Sequence, residues 1–418
     1  MPNNLLSAFN SGPETQLRNT NKLIHTADSS FDAAHLQGVM ALYATPLSGR
    51  MVQLEGSDRT VVDFVRCSYL GLDNHPKIIH GAIEAIRQSG SLHWSCARTR
   101  LNFAQLSTLE QILSELFNAR AITYSSVLAA NMSSLPLIAS GHLTSGTKPT
   151  MVFDRFAHAT LAIHKATVAN ETTVRTIAHA DYAALEDICR KEKCVAYICD
   201  GVYSMGGSCN IEELKRLQER YGLFLYIDDA HGVSIVGDRG QGYAKSQFDE
   251  LGDRTIIATS LGKGFGASGG LLLLGTANQE VLFRRFAIAH AFSASITTAA
   301  IGAGIASASI HQSQELKDKQ TKLRENIALF DRLMPSPQPD PNLPIRKITV
   351  GDEMASIGCA QDLLSHGFYA SAIFFPTVAR GEAGLRVSIT ADHEPDQIKR
   401  FCNTVGSLLG LSQTGHCA

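Results

Sequence analysis

Neither sign of charge dominates this 418-residue chain: 37 lysines and arginines face 39 aspartates and glutamates, a formal net charge of −2 at pH 7. Without an excess of positive charge there is no electrostatic reason to expect nucleic acid or an anionic membrane surface as a partner. Uninterrupted apolar stretches are short as well. None reaches the ~18 residues that a membrane-crossing helix needs, so no membrane span is expected. The start, Met1-Pro-Asn-Asn-Leu-Leu, lacks the charged and apolar regions of a signal peptide, and a cytoplasmic protein is the expectation. The nine cysteines are dispersed; Cys189, Cys194 and Cys199 stand five apart and no C-x-x-C pair occurs. No metal site is expected from such spacing, and reduced, mostly buried thiols are the better reading. The P-loop pattern G-x-x-x-x-G-K-[ST] is missing too. Internal repeats are absent, and the only biased segment is Met334-Pro-Ser-Pro-Gln-Pro-Asp-Pro-Asn-Leu-Pro344, a surface connection that cannot be helical.

What is present is an ordinary globular composition, 44% hydrophobic, and a length that suits one large domain and a smaller one. The chain is organised around Ser260-Leu-Gly-Lys-Gly-Phe-Gly266. Thr255-Ile-Ile-Ala-Thr-Ser260 before it and Ala267-Ser-Gly-Gly-Leu-Leu-Leu-Leu-Gly275 after it read as buried strands. Lys263 therefore sits in a glycine-walled turn, where desolvation lowers its pKa and makes it a usable amine nucleophile. A Gly-Lys-Gly turn taken alone is only a turn. The second stretch is Leu223-Phe-Leu-Tyr-Ile-Asp-Asp-Ala-His-Gly232, an apolar strand ending in Asp228 and Asp229. Acidic residues at the carboxyl end of a parallel strand face the ligand crevice of an α/β sheet. A lysine for a Schiff base and a carboxylate for a pyridinium nitrogen are what pyridoxal phosphate (PLP) needs from a protein.

The remaining segments follow the same grammar. Ala121-Ile-Thr-Tyr-Ser-Ser126 reads as a strand and Val127-Leu-Ala-Ala-Asn131 as the start of a helix; such a turn binds phosphate through free N–H groups and the helix dipole. Strands over 150–154 and 194–200 precede His158 and Ser204, respectively, and strands alternate with helices from about 121 to 275. A helix is expected over 31–43, a hairpin over 52–65, helices over 78–89 and 106–117, and one long helical stretch to Arg332. The end should alternate strands at 345–350, 369–375 and 385–390 with helices at 354–366 and 395–409. His164 and Lys165 are expected on a solvated face, and Cys67 is expected to be structural.

Asp-Asp-Ala-His-Gly followed by Gly-Lys-Gly-Phe-Gly-x-Ser-Gly-Gly resembles the α-oxoamine synthases among the fold-type-I PLP enzymes. The likeness runs from about Phe64 to His393. It implies an α/β, aspartate aminotransferase-like fold: a largely parallel sheet with helices on both faces plus a smaller C-terminal α+β domain. The expected division is an N-terminal segment 1–60, a PLP-binding domain 61–300, a linking helix 301–333 and a small domain 334–418. The resemblance implies Lys263 as the Schiff-base lysine, Asp228 at the ring nitrogen, and His158 stacked on the ring. It places His231 and Ser204 near the phenolic oxygen, and Ser260, Ser126, Val127 and Leu128 around the phosphate. Arg386, within Leu385-Arg-Val-Ser-Ile-Thr390, would take the substrate carboxylate, with a buried ion pair as the structural alternative and Arg98 or Arg100 as fallback carboxylate sites. The loop 90–103 borders the substrate entrance in the family; here it is poor in glycine and carries His93 and Trp94, either packing or substrate-facing.

The activity so implied is an acyltransferase that condenses an amino acid with an acyl thioester, of coenzyme A or a carrier protein, usually with decarboxylation, to give an α-aminoketone. The expected assembly is a homodimer with shared active sites, because in the family the segment matching Ala291-Phe-Ser-Ala-Ser-Ile-Thr-Thr298 reaches the neighbouring subunit's phosphate. Here Ala294 removes one hydroxyl, leaving Ser293 or Ser295 to replace it. Another fold-type-I enzyme, an aminotransferase or lyase, and a non-catalytic partner subunit are the alternatives.

Overall fold

The computed structural model describes residues 20–94, 96–335 and 342–411. Its central sheet has seven strands in the order Arg120–Tyr124, Gly270–Leu274, Thr255–Ser260, Phe224–Asp228, Val195–Asp200, Thr150–Asp154, Val174–Ile177. Gly270–Leu274 is antiparallel to both neighbours, and the pairings from Thr255–Ser260 to Val174–Ile177 are all parallel. Every residue of Phe224–Asp228, Val195–Asp200 and Thr150–Asp154 is buried. Period-two alternation sends Tyr197, Leu225, Ile227 and Ile257 into one core and Ala196, Ile198, Phe224, Tyr226 and Ile256 into another. Helices Ala104–Phe117 and Ile211–Tyr221 cover the first face, Val127–Ala139 the second. Near-continuous apolar strands are what a sheet covered on both sides requires.

The C-terminal part forms a three-stranded antiparallel sheet, Ile345–Gly351, Ala383–Ser388, Ser371–Ile373, packed against helices Glu353–Ser365 and Pro395–Leu408. A third sheet joins the ends of the chain: Ala44–Pro46, Met51–Leu54 and Thr60–Asp63 pair in turn, and Phe368–Tyr369 adds in parallel to Thr60–Asp63. The strand expected over 369–375 is thus two strands, because the chain leaves one sheet for the other at the buried Ala370. The first helix spans Thr20–Leu36 rather than 31–43. The long helical stretch breaks at Ser313, whose hydroxyl caps the second of two helices, Thr298–His311 and Gln314–Leu333. Most of the proline-rich connection, residues 336–341, lies outside the described residues. Lys165 corrects another expectation: it is 8% exposed, donates to Thr176 Oγ1 at 2.9 Å, and lies over the Phe153 ring at 5.1 Å. Among the described residues no helix is long and apolar enough to cross a membrane.

Candidate active site

The carboxyl ends of the parallel strands bring three acids into a row. Asp154, Asp200 and Asp228 each end a strand, and Asp200 lies directly opposite Asp228 in the ladder. Two buried carboxylates this close cannot both stay ionised. Burial, then the charge of Asp228, pushes Asp200 well above the usual carboxylate range. Asp200 accepts from the His158 N–H at 3.0 Å and fixes the start of that loop. Asp228 is the better-solvated partner in hydrogen-bond terms: it accepts from Asn131 Nδ2 at 3.0 Å and from the Ala230 N–H at 3.1 Å. Asn131 is held in turn by Tyr226, whose hydroxyl donates to Asn131 Oδ1 at 2.7 Å.

Lys263 sits in the turn of the hairpin Thr255–Ser260/Gly270–Leu274, with Nζ 2.9 Å from His231 Nε2. His231 Nδ1 lies 2.7 Å from the Tyr69 hydroxyl. Burial and then the Lys263 charge hold His231 well below its usual pKa, so the imidazole is neutral. Its Nε2 then accepts from the ammonium of Lys263 while Nδ1–H donates to Tyr69. Burial lowers the Lys263 amine as well. On the opposite side, His158 Nδ1 receives the Thr160 N–H at 3.3 Å and the Thr160 hydroxyl at 2.9 Å, which leaves the proton on Nε2. Thr160 also accepts from Asn131, so His158, Asn131 and Asp228 belong to one network. Burial and the Lys263 and Arg386 charges keep His158 low despite Asp228.

At the proposed phosphate turn Ser126 caps helix Val127–Ala139, its Oγ accepting the Ala129 N–H at 3.2 Å. The N–H groups of Val127 and Leu128 open the helix and have no intrahelical acceptor. Gly270 makes room for this turn: a Cβ there would come 2.4 Å from Ser126 O and 2.6 Å from Val127 N. Ser260 Oγ accepts the Gly262 N–H at 3.1 Å and so shapes the lysine turn. Ser204 meets the site through its carbonyl, which accepts from Arg386 Nε at 2.7 Å. Arg386 is 8% exposed, and its other nitrogens donate to Ser388 Oγ at 3.1 Å and Cys67 Sγ at 3.6 Å. None of its partners among the described residues is a carboxylate. Arg98, by contrast, is committed to Glu110 at 2.8 Å, with both side chains below 9% exposed.

Cys67 is therefore not a packing residue apart from the site, as the sequence suggested; it touches the arginine at its edge. Sequence reasoning also passed over Asn131, Tyr69, Thr160 and Asp200 as contributors. Trp94 packs against Phe103, the rings tilted by 36° with centroids 4.2 Å apart, and stays 53% exposed. Ser295 Oγ donates to the Ile296 carbonyl at 2.9 Å, which leaves the hydroxyl of Ser293 as the freer one in that segment. Among the described residues no cluster suited to a metal ion occurs.

Comparison with known proteins agrees with this geometry. The aminotransferase class I and II family model matches residues 61–405. Similar proteins include the 8-amino-7-oxononanoate synthases of Pseudescherichia vulneris, 30% identical over 86% of this chain and 94% of that one, and of Marinomonas sp. (strain MWYL1), 29% identical over 85% and 87%. The chain belongs to the α-oxoamine synthases of the aminotransferase class I and II family. It is accordingly a PLP-dependent acyltransferase of the kind that condenses an amino acid with an acyl thioester. The fold is shared with serine palmitoyltransferase from S. paucimobilis, solved with a bound PLP–myriocin aldimine (TM-score 0.81, 19% identity, 94% of this chain and all of that one). It is shared too with 8-amino-7-oxononanoate synthase from Francisella tularensis (TM-score 0.70, 20% identity, 83% and 97%). The α-oxoamine synthase residues fit PLP in this chain: a desolvated lysine, a carboxylate held by two donors, and a helix N-terminus that a glycine leaves open.

Proposed function

We propose that the side chains gathered around Lys263 divide the condensation among them, and the Lys263–His231–Tyr69 chain beside Asp228 is the observation that carries the reading. Bound PLP supplies an electron sink and a carbon to which an amine can bond. Lys263 holds the cofactor at rest and, once freed, takes the α-proton of the amino acid; burial lowers its pKa and so favours the neutral amine that accepts a proton. Neutral His231 accepts a hydrogen bond from the amine and orients it. Asp228, aimed by Asn131 Nδ2 and the Ala230 N–H, would face the ring nitrogen. His158 would stack on the cofactor ring. Val127 and Leu128 N–H groups, with the Ser126 and Ser260 hydroxyls, hold the phosphate. Arg386 takes the amino-acid carboxylate, and the Ser204 carbonyl keeps the guanidinium in place. The new carbon–carbon bond joins the α-carbon to the acyl carbon and the thiol leaves, usually with loss of carbon dioxide to give an α-aminoketone.

In this reading domain 61–300 carries the cofactor contacts, the linking segment 301–333, two helices broken at Ser313, joins the two lobes, and domain 334–418 brings Arg386 to them. The described part of the N-terminal segment, from Thr20 on, packs with the small domain, Ser30 donating to Glu353 Oε2. The active form is a cytoplasmic homodimer, with Ser293 of one subunit near the phosphate of the other. The test is incubation of the purified protein with acyl-CoA and each of the twenty amino acids while free thiol is detected. Thiol release that depends on both substrates and on Lys263 supports the condensation; amino-group transfer without thiol release overturns it.

A further inference from the structure

Arg386 meets its three neighbours unequally. Nε and Nη1 donate to oxygens, the Ser204 carbonyl at 2.7 Å and the Ser388 hydroxyl at 3.1 Å, both fixed by strand or loop backbone. Nη2 alone faces a soft acceptor, Cys67 Sγ at 3.6 Å. A neutral thiol is a weak acceptor and gives way to a carboxylate, whose bond to guanidinium is charge-assisted. A thiolate is an anion and competes for the same edge. We propose that Cys67 governs access of the amino-acid carboxylate to Arg386: as a thiol it yields the Nη2 edge, and as a thiolate it occupies it. This rests on Arg386 being the carboxylate site.

The surroundings make the thiolate reachable. Cys67 is half-buried. The groups facing it are Arg386 from strand Ala383–Ser388, Lys263 from the hairpin turn, and Tyr69 from its own segment, with His231 beyond Tyr69. Burial works to raise the thiol, but Arg386, the Tyr69 hydrogen bond and Lys263 outweigh it and bring it below the usual thiol range. Tyr69 is pushed well above its usual value, chiefly by burial, and stays a neutral donor. Two cations and one neutral hydroxyl face the sulfur, and as a thiol it donates to the Val65 carbonyl at 3.8 Å.

The experiment uses the holoenzyme and two readouts. First, L-alanine is titrated by cofactor absorbance in the wild type, Cys67→Ser and Arg386→Ala between about pH 7 and 9.5, the range in which a perturbed thiol titrates. The wild-type affinity should fall by about tenfold per pH unit above the thiol pKa, one proton being linked to one ligand, and Cys67→Ser should lack this component. Second, alkylation of Cys67 by iodoacetamide is followed by mass spectrometry of its peptide, in chloride or in acetate at equal ionic strength. Acetate and L-alanine should move the alkylation profile to higher pH, since linkage is reciprocal. This readout needs no variant. Superimposable wild-type and Cys67→Ser profiles, or an alkylation profile that neither carboxylate moves, overturn the role of the thiol. If Arg386→Ala binds L-alanine as the wild type does, the carboxylate site itself is misplaced; if Arg386→Ala weakens binding while Cys67→Ser tracks the wild type, only the thiol proposal falls.

Discussion

A guanidinium as deeply buried as that of Arg386 ordinarily has an acid beside it, yet its hydrogen bonds go to a carbonyl, a hydroxyl and a thiol. A buried charge left without a counter-ion is costly, and a carboxylate substrate relieves that cost. Truncating one partner of such a pair costs roughly 2–5 kcal/mol. Arg386→Ala should weaken the amino-acid spectral titration about 30-fold or more, by the rule of ~1.4 kcal/mol per tenfold. The resting cofactor spectrum should hardly change, because Lys263, Asp228 and His158 are untouched, and the KM for acyl thioester should stay within a few-fold. Arg386→Lys keeps the charge without the fork and should recover only part of the loss. A bleached cofactor, or equal loss for both substrates, would make Arg386 a structural residue. Lys263→Ala, in turn, should abolish both the visible absorbance of the holoenzyme and turnover; retention of full activity would move the essential amine elsewhere. Lys263, Asp228, His231 and Arg386 were legible in sequence because each stands in a motif whose neighbours explain its chemistry. Asn131 and Thr160 were not, since a lone polar side chain in a helix leaves no periodic mark; Asp200 ends a strand as Asp228 does, and the same strand-end rule could have found it. The contact of Cys67 with Arg386 could not be read from sequence, since the two residues are 319 positions apart and only the fold brings them together.

At the scale of the element, the turn that carries His231 is shaped by its other acid, Asp229. This carboxyl is 1% exposed and accepts the Ala244 N–H at 2.8 Å, while its Oδ1 has no partner among the described residues. Three glycines surround it: a Cβ at Gly201, Gly232 or Gly242 would come 2.4, 2.1 or 2.6 Å from its oxygens. Gly232→Ala should therefore cost about 1–3 kcal/mol by overpacking and shift His231 as well, seen as a lower Tm with reduced turnover in the variant that still folds. Burial raises Asp229 to about 8, so the native state keeps a proton that the unfolded chain has lost. This contribution to stability is complete below the unfolded carboxylate value of ~4 and is lost as pH rises through the folded value. Asp229→Asn cannot titrate, so its Tm should fall less than that of the wild type between about pH 5 and 8. Parallel Tm curves would place the proton on another group. The strands of this region were readable because full burial makes them near-continuous apolar runs. The 369–375 strand was misjudged because pairing partners 300 residues away in sequence, at Thr60–Asp63, decide where it divides.

Considered as a whole molecule, the described chain exposes many large apolar side chains, and two stretches of them are tied to each other. Leu92, Trp94 and Leu101 are 55, 53 and 69% exposed, and Phe286, Ile288 and Phe292 are 63, 61 and 73% exposed. The two stretches are tied together: the Thr298 N–H donates to the Leu92 carbonyl at 3.2 Å and Thr99 Oγ1 to the Ala291 carbonyl at 3.1 Å. Exposed apolar side chains gathered on one face commonly mark an interface. The same region carries Ser293, the freer hydroxyl of the segment expected to cross between subunits. A two-fold dimer using this face would bury the patch and complete the phosphate site at once, which makes oligomer and cofactor affinity a linked pair. Phe292→Asp places a charge at the most exposed of these rings and should turn a dimer into a monomer in light scattering. If the phosphate site is shared, the same variant should bind PLP more weakly, and added PLP should pull it back towards the dimer. Ser293→Ala should leave the dimer intact and weaken PLP by several-fold, the loss of one hydrogen bond to a charged group at about 1.5–3 kcal/mol being the upper bound. A wild type that scatters as a monomer and turns over at nanomolar concentration would refute the shared site, and would leave the 92–101 and 286–292 patch to another partner.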